Sequence, residues 1–474
     1  MNNGLKQMML AALLSGSVAL QAQEKSWCGS MDVVQEQLRD NPEMQQRYHD
    51  FIEGLKQEPT HPSSRAANEV IFIPVVFHII HNGDAVGTGE NITESQVYSQ
   101  IDILNQAYNN MDAAAGTVPD VFKPLVANVN VQFCLAKFDP SGNPTTGIIR
   151  HEMSRESWDS SSTIDKVLKP ATIWDRNRYL NIWTVRMGGS LTDQGILAYS
   201  SFPGVTQSDR DGVVCRFNLI GASSPTGLTG HNKGKSMVHE VGHWLGLLHI
   251  WGDDDGKCAN DPNGGSDYIS DTPDQADLNF GCPVFPHVTC NNGPNGDMFM
   301  NYMDYVNDEC MAMFTPKQAE RMIGVLNSQR SIIKTAASKC YYSLDAAVAD
   351  IPFPKDTVCS LGFQPAIILK NEGLTTLTSG KIYYQWDGGA VQSQNWNGSL
   401  AMQQEAKVLL AETNLLQGDH SLYVTFETPN GQPADNLSTN DSKDVVFYVY
   451  DGGVGIPLPI SKALKLISLH RVGV

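Results

Sequence analysis

The chain has 474 residues, 41% of them hydrophobic and 18% charged, which is ordinary for a globular protein and long enough for more than one domain. Its 33 basic and 51 acidic residues leave a net charge of -18. That balance argues against nucleic acid and anionic membrane surfaces as partners and is compatible with basic polypeptides.

The first segment, MNNGLKQMMLAALLSGSVALQAQ, carries one lysine, an apolar run from Met8 to Leu20 and a small residue at Ala22. This is the pattern of a secretory signal peptide over residues 1–22. No other stretch of about 18 apolar residues follows, so the expectation is a protein exported in the bacterial manner, extracellular or cell-surface associated, with no transmembrane segment. Residues 23–65 are polar and helix-prone and end in EPTHPSSRAANE, which reads as an accessible linker. They are expected to be a propeptide released near Arg65. Nine cysteines are present, and an odd number in an exported chain leaves one thiol without an intrachain partner.

VIFIPVVFHII from Val70 reads as a buried strand, ITESQVYSQIDILNQAYNNM as an amphipathic helix, and VNVQFCLA, LNIWTVRM and DGVVC as further strands. His78 and His81, three apart on a strand, face opposite sides and read as structural. Cys134 and Cys215 lie in two of the strand-like runs, where they either bridge neighbouring strands or stay as buried thiols.

The segment HEVGHWLGLLH, from His239 to His249, carries the chemistry. His239 and His243 lie one helical turn apart on one face, a clamp for a metal ion. Glu240, one step round the helix, is placed for a water on the metal rather than for the metal itself, as a general base must be. His249 reaches the same ion only if the chain turns first, and Gly246, free to adopt a left-handed backbone, supplies that turn. Three histidines leave one position of a tetrahedral zinc site open, the mark of a catalytic centre. Cys28, in SWCGS, can lend its thiolate as a fourth zinc ligand and hold the enzyme latent, with its own propeptide as inhibitor.

After His249 the run DDDGKCANDPNGGSDYISDTPDQ is rich in oxygen donors and turn formers, which suits calcium, although the ligand periodicity of an EF-hand is absent. Downstream lies MFMNYMDYVNDECMAMFTPKQAERM. The order of HEVGHWLGLLH, SDTPDQ at 270–275, GCP at 281–283 and NYMDY at 301–305 resembles the pappalysin family of metzincin zinc metallopeptidases, over roughly residues 66 to 335. The resemblance implies an α/β (α+β) catalytic domain with a twisted mixed sheet, long helices, a zinc helix and a Met-turn. It implies that the GILAYSSFPG region lies at a sheet edge near the cleft, where an extended substrate pairs.

On the same likeness Met303 forms an apolar floor under the ligands and Tyr305 turns its hydroxyl toward the metal or the developing oxyanion. Asp267 and Thr272, with Ser270, are the implied calcium ligands, and Cys258 pairs with Cys290 and Cys282 with Cys310. Asp308 falls in the segment that forms the pocket for the side chain following the cut. A carboxylate there would pair with lysine, or bidentately with arginine.

Cys340 and Cys359 lie close together in sequence and are expected to pair locally, leaving Cys28 over. Beyond residue 340, PAIILKN, KIYYQWDG, HSLYVTFETPNG and DVVFYVYDG alternate polar and apolar residues between turn formers. This reads as an all-β sandwich of immunoglobulin-like size over 340–451, with a tail at 452–474. The expected protein is a secreted zinc endopeptidase made as a zymogen, with polypeptide substrates cut before Arg or Lys, one zinc and a structural calcium. Two other readings stay open: an exported adhesin with a structural zinc, against which the open ligand set and Glu240 speak, and zinc hydrolysis of a non-peptide amide.

Overall fold

A computed structural model describes residues 27–39, 41–57, 70–222, 228–253, 257–258 and 266–451. The expected signal peptide, the cut near Arg65 and the tail from residue 452 lie outside the described residues. The chain divides into two compact units, the first ending at Cys340 and the second beginning at Tyr341.

The first unit is organised on β1, Ile71–His81. Ile73, Val75, Val76, Phe77 and Ile79 are all fully buried. Because both odd and even positions are apolar, both faces of the strand are covered, as the centre of a parallel sheet requires. Each such aliphatic side chain contributes about 1.5–3 kcal/mol by leaving water. β2 (Val131–Leu135) pairs with the first half of β1 and β3 (Ile148–Glu152) with the second half, while β4 (Leu180–Val185) flanks the other side, all parallel. β6 (Val213–Arg216) continues parallel to β4, and β5 (Ala198–Ser200) closes the sheet antiparallel to β6. The order is β2-β1-β4-β6-β5, so the short β5, within GILAYSSFPG, ends the sheet.

The helix Glu94–Tyr108 starts at a capping box between Thr93 and Gln96 and buries Val97, Ile101, Leu104 and Tyr108 at helical spacing. It also holds the histidine helix, Lys235–Trp244. Gln100 Nε2 donates to the carbonyl of Gly234 at 2.9 Å, and the Tyr108 hydroxyl donates to that of Val238 at 3.0 Å. The polar N-terminal segment forms helices Ser30–Leu38 and Pro42–Leu55. Their apolar faces, with Leu38, Met44, Phe51 and Leu55, pack on Phe202, Val205 and Leu248 in one cluster.

The disulfides correct one expectation. Cys340 pairs with Cys134, not with Cys359, which is an exposed free thiol, while Cys215 is a buried one. The reason is non-local: Cys340 is the last residue of the first unit, next to Lys339, whose carbonyl accepts from the Lys137 N–H just beyond β2. Cys359, although nearer in sequence, belongs to the second unit. Cys134 and Cys215 do not meet, because β1 and β4 separate their strands. Cys258 pairs with Cys290 and Cys282 with Cys310.

The second unit is β-rich. Ala346–Phe353, Ala366–Asn371 and Glu405–Leu409 make a three-stranded sheet. Asp356–Val358, Leu377–Trp386, Gln392–Leu400, Gly418–Glu427 and Ser442–Val449 make a five-stranded one. Val348, Ile367 and Leu369 from the first share a single apolar cluster with Ile382, Leu422, Val424 and Phe426 from the second.

Candidate active site

The histidine helix ends at Trp244, with Leu245 as its cap and Gly246 beyond it at φ 90°. The N–H of Gly246 donates to the His243 carbonyl and that of Leu247 to Gly242, which returns the chain so that His249 faces the helix. A side chain at 246 would meet strain from the backbone and Val325 Cγ2 only 2.8 Å from its Cβ.

The three imidazoles converge through Nε2. His243 Nε2 lies 3.1 Å from the Nε2 of both His239 and His249. Each Nδ1 is tied elsewhere, that of His239 to the Tyr302 carbonyl at 2.7 Å, that of His243 to the Leu247 carbonyl at 2.7 Å, and that of His249 to Asp253 at 2.5 Å. With Nδ1–H donated outward, each Nε2 carries a lone pair, and burial holds His239 down at about 3 and His243 well below the ordinary histidine range. Three inward lone pairs at this separation repel one another unless a cation lies among them. Zinc–nitrogen bonds of about 2.0–2.1 Å at tetrahedral angles bring ligand nitrogens to about 3.3 Å. The donor set therefore fits zinc, and the outward hydrogen bonds are those that orient metal-binding histidines.

Cys28 supplies the fourth member of the cluster. Its Sγ and the three histidine nitrogens all lie within 4.8 Å of one another, and all four residues are buried. Residues 27–30 run alongside β5. The Trp27 carbonyl accepts from the Leu197 N–H at 2.8 Å, the Gly29 N–H donates to the Ala198 carbonyl at 2.9 Å, and Cys28 bridges Ala198 in parallel. The Tyr305 hydroxyl accepts from the Cys28 N–H at 3.2 Å and donates to its carbonyl at 3.1 Å.

Glu240 is buried beside this segment, and burial pushes it up to about 7 against the lowering hydrogen bonds of Ser30 and Cys28. The Ser30 hydroxyl donates to Glu240 Oε2 at 2.8 Å and accepts from the Ser200 N–H at 2.8 Å. Neither Ser30 nor Trp27 is singled out by sequence reasoning. SWCGS carries no signal beyond the cysteine itself.

Met303 is fully buried against the helix, where a Cβ on Gly242 would come within 2.5 Å of its Sδ. That glycine is what lets the methionine approach. Trp251 stacks flat on His249 with ring centroids 4.3 Å apart. At the back of the helix, Asp211 accepts from Trp244 Nε1 at 2.8 Å and from both terminal nitrogens of Arg330 at 3.1 Å. The Arg330 guanidinium also covers the Trp244 ring at 3.8 Å. Asp211 and Arg330 lie outside every motif, and Asp253, the first residue of the acidic run that suits calcium, serves His249 instead.

Asp308 is buried rather than turned to solvent, and it is not free to be bidentate. Its Oδ2 accepts from the N–H groups of Lys233 at 2.7 Å and Lys235 at 3.3 Å, capping the start of the histidine helix. Asp267 is buried, with its carboxylate taking the Ile269 N–H at 3.0 Å and the Thr272 hydroxyl at 2.8 Å, while Ser270 is exposed. Asp267 and Thr272 are thus together and Ser270 faces outward.

A peptidase family model described as pregnancy-associated plasma protein-A matches residues 162–327. An extracellular metalloprotease of Neurospora crassa is 31% identical over 268 residues, 56% of this chain and 78% of its own. One from Verticillium alfalfae is 30% identical over 315 residues, covering 65% and 92%. Among solved structures, mature mirolysin of Tannerella forsythia in complex with a cleaved peptide is 39% identical at a TM-score of 0.52, covering 59% of this chain and 99% of that one. A promirolysin mutant from the same organism is 37% identical at a TM-score of 0.57, covering 66% and 99%.

Proposed function

Since the chain belongs to the pappalysin family of metallopeptidases, we propose that it is a secreted zinc endopeptidase held latent by residues 23–65. The observation that carries this reading is that one short segment engages every reactive group at once. Cys28 completes the ligand cluster, Ser30 takes Glu240, and Cys28 takes Tyr305 through its main chain.

His239, His243 and His249 would hold the ion, and Cys28 would fill its fourth position in the latent form. Bound zinc supplies Lewis acidity, lowering the pKa of a coordinated water to about 7 and polarising a carbonyl. Once residues 27–30 leave, Glu240 is free to take the proton of the attacking water and return it to the leaving amine. Tyr305, released from Cys28, can donate its hydroxyl to the oxyanion of the scissile carbonyl. The N–H of Leu197 and the carbonyl of Ala198, now satisfied by Trp27 and Gly29, become available to a substrate main chain.

Asp308 gives the pocket beyond the cut a buried negative charge, which supports a preference for Arg or Lys after the scissile bond. Asp267 and Thr272 are the proposed calcium donors, with Ser270 the weakest member because it is exposed. The relatives are named extracellular metalloproteases, which supports export.

The test is digestion of a peptide library by the chain cut near Arg65, beside its Glu240→Ala variant. Cleavage by the first, none by the second, and equal zinc content in both are expected. A zinc-loaded wild type that cuts no peptide rejects the reading in favour of a binding protein.

A further inference from the structure

Building on that reading, we propose that His231 determines specificity together with Asp308, the two forming one composite acceptor for a guanidinium group in the pocket beyond the cut. Asp308 alone offers too little. With Oδ2 given to the backbone of Lys233 and Lys235, only Oδ1 remains, and among the described residues it has no hydrogen-bond partner although it is buried. A guanidinium presents several N–H donors in a plane, and a lone carboxylate oxygen cannot take its fork. A second acceptor must stand nearby.

His231 stands there. It is 6% exposed, with Nδ1 3.8 Å from Asp308 Oδ1 and Nε2 buried without a hydrogen-bond partner among the described residues. The carboxylate beside Nδ1 favours the tautomer with its proton on that nitrogen, which leaves the Nε2 lone pair as the acceptor. Two loops fix the pair. The Asp308 N–H donates to the Gly230 carbonyl at 2.8 Å, the His231 N–H donates to the Leu228 carbonyl at 2.9 Å, and a Cβ on Gly230 would strike Asn307 Oδ1 at 2.7 Å.

The position faces the reactive centre. In the latent form the Trp27 indole meets the His231 ring edge-on, with centroids 4.0 Å apart, and one cavity is lined by Trp27, His231, Glu240 and Tyr305. When Trp27 leaves, the next side chain to enter that space meets His231, and Asp308 Oδ1 lies behind it, 3.8 Å from Nδ1. An ammonium is satisfied as a point charge by Asp308 Oδ1, whereas the guanidinium fork gains from both acceptors, so His231 favours Arg over Lys.

The experiment uses the chain cut near Arg65 and peptides that differ only in Arg, Lys or Ala after the scissile bond. His231→Ala should lower kcat/KM about tenfold for Arg peptides and no more than about threefold for Lys peptides, by the loss of one buried hydrogen bond. His231→Gln, whose amide oxygen can accept, should recover part of the Arg preference. Zinc content and thermal stability are read alongside. Equal falls on Arg, Lys and Ala peptides, or an unchanged Arg-to-Lys ratio in an enzyme that prefers basic side chains, overturn the role of His231 alone. A wild type that cuts before Arg, Lys and Ala alike overturns the charged pocket and this inference together.

Discussion

The Ser30 hydroxyl donates to Glu240 Oε2 at 2.8 Å across a separation of 210 residues. A serine two residues after Cys28 thus restrains the group proposed to move the proton, independently of what Cys28 does. In the uncut chain, Ser30→Ala should raise the background turnover of a fluorogenic peptide several-fold, and Cys28→Ala should raise it further, as expected for loss of one hydrogen bond to a charged group and of a ligand respectively. Identical background rates for Ser30→Ala and wild type would make the contact incidental to latency.

Asp253 orients His249 through Nδ1. Replacing it by Asn should weaken zinc binding about 10- to 100-fold, measured by competition with a chelator, while the fold survives. Full removal of zinc should abolish peptide cleavage, and added zinc should restore it.

Gly242 and Met303 share a contact with no room for a methyl group. Gly242→Ala should lower stability by about 1–3 kcal/mol through overpacking, and Met303→Ala by about 2–5 kcal/mol through the cavity it leaves. Thermal unfolding of the zinc-loaded variants checks both.

His78 gives the first unit an acid-sensitive core. It is fully buried, its Nε2–H donates to Asn181 at 3.0 Å, and its Nδ1 accepts from His151 Nε2 at 3.1 Å. Burial lowers it from 6.5 to about 3. The unfolded chain therefore binds the proton more readily, and the stabilisation is fully present above about pH 6.5 and is lost as pH falls toward about 3. By about pH 5 the loss is on the order of 2 kcal/mol. A melting temperature that does not fall between about pH 7 and about pH 5, or that falls equally in His78→Phe, contradicts this assignment.

Cys134 and Cys340 close a loop with a sequence separation of 206. Cys340→Ala should cost about 2–5 kcal/mol, whereas Cys359→Ser should change stability little. In the folded chain a maleimide should label the exposed Cys359 and spare the buried Cys215.

Sequence reasoning reached what local pattern encodes. The apolar run from Val70 is β1, the amphipathic run that follows it is the helix Glu94–Tyr108, and the glycine at 246 turns the chain to deliver His249. It did not reach what only folding brings together. Cys340 was placed with its sequence neighbour Cys359 because proximity along the chain was the available guide, yet its partner lies on β2. The Asp308 carboxylate was readable as a charge but not as a helix cap, since its donors stand more than 70 residues upstream. Ser30 and His231 carry ordinary residue types in ordinary surroundings, and their significance comes from the groups they face.

One oxygen of Asp308 takes the N–H groups of Lys233 and Lys235 at the start of the histidine helix, while the other is the one proposed to meet the side chain that enters the pocket. Any attempt to redirect this protease to new cleavage sites by replacing that aspartate would loosen the footing of its own catalytic helix, so altered selectivity and impaired turnover should arrive together. Changes at His231 escape that linkage, which makes it the better starting point for retuning.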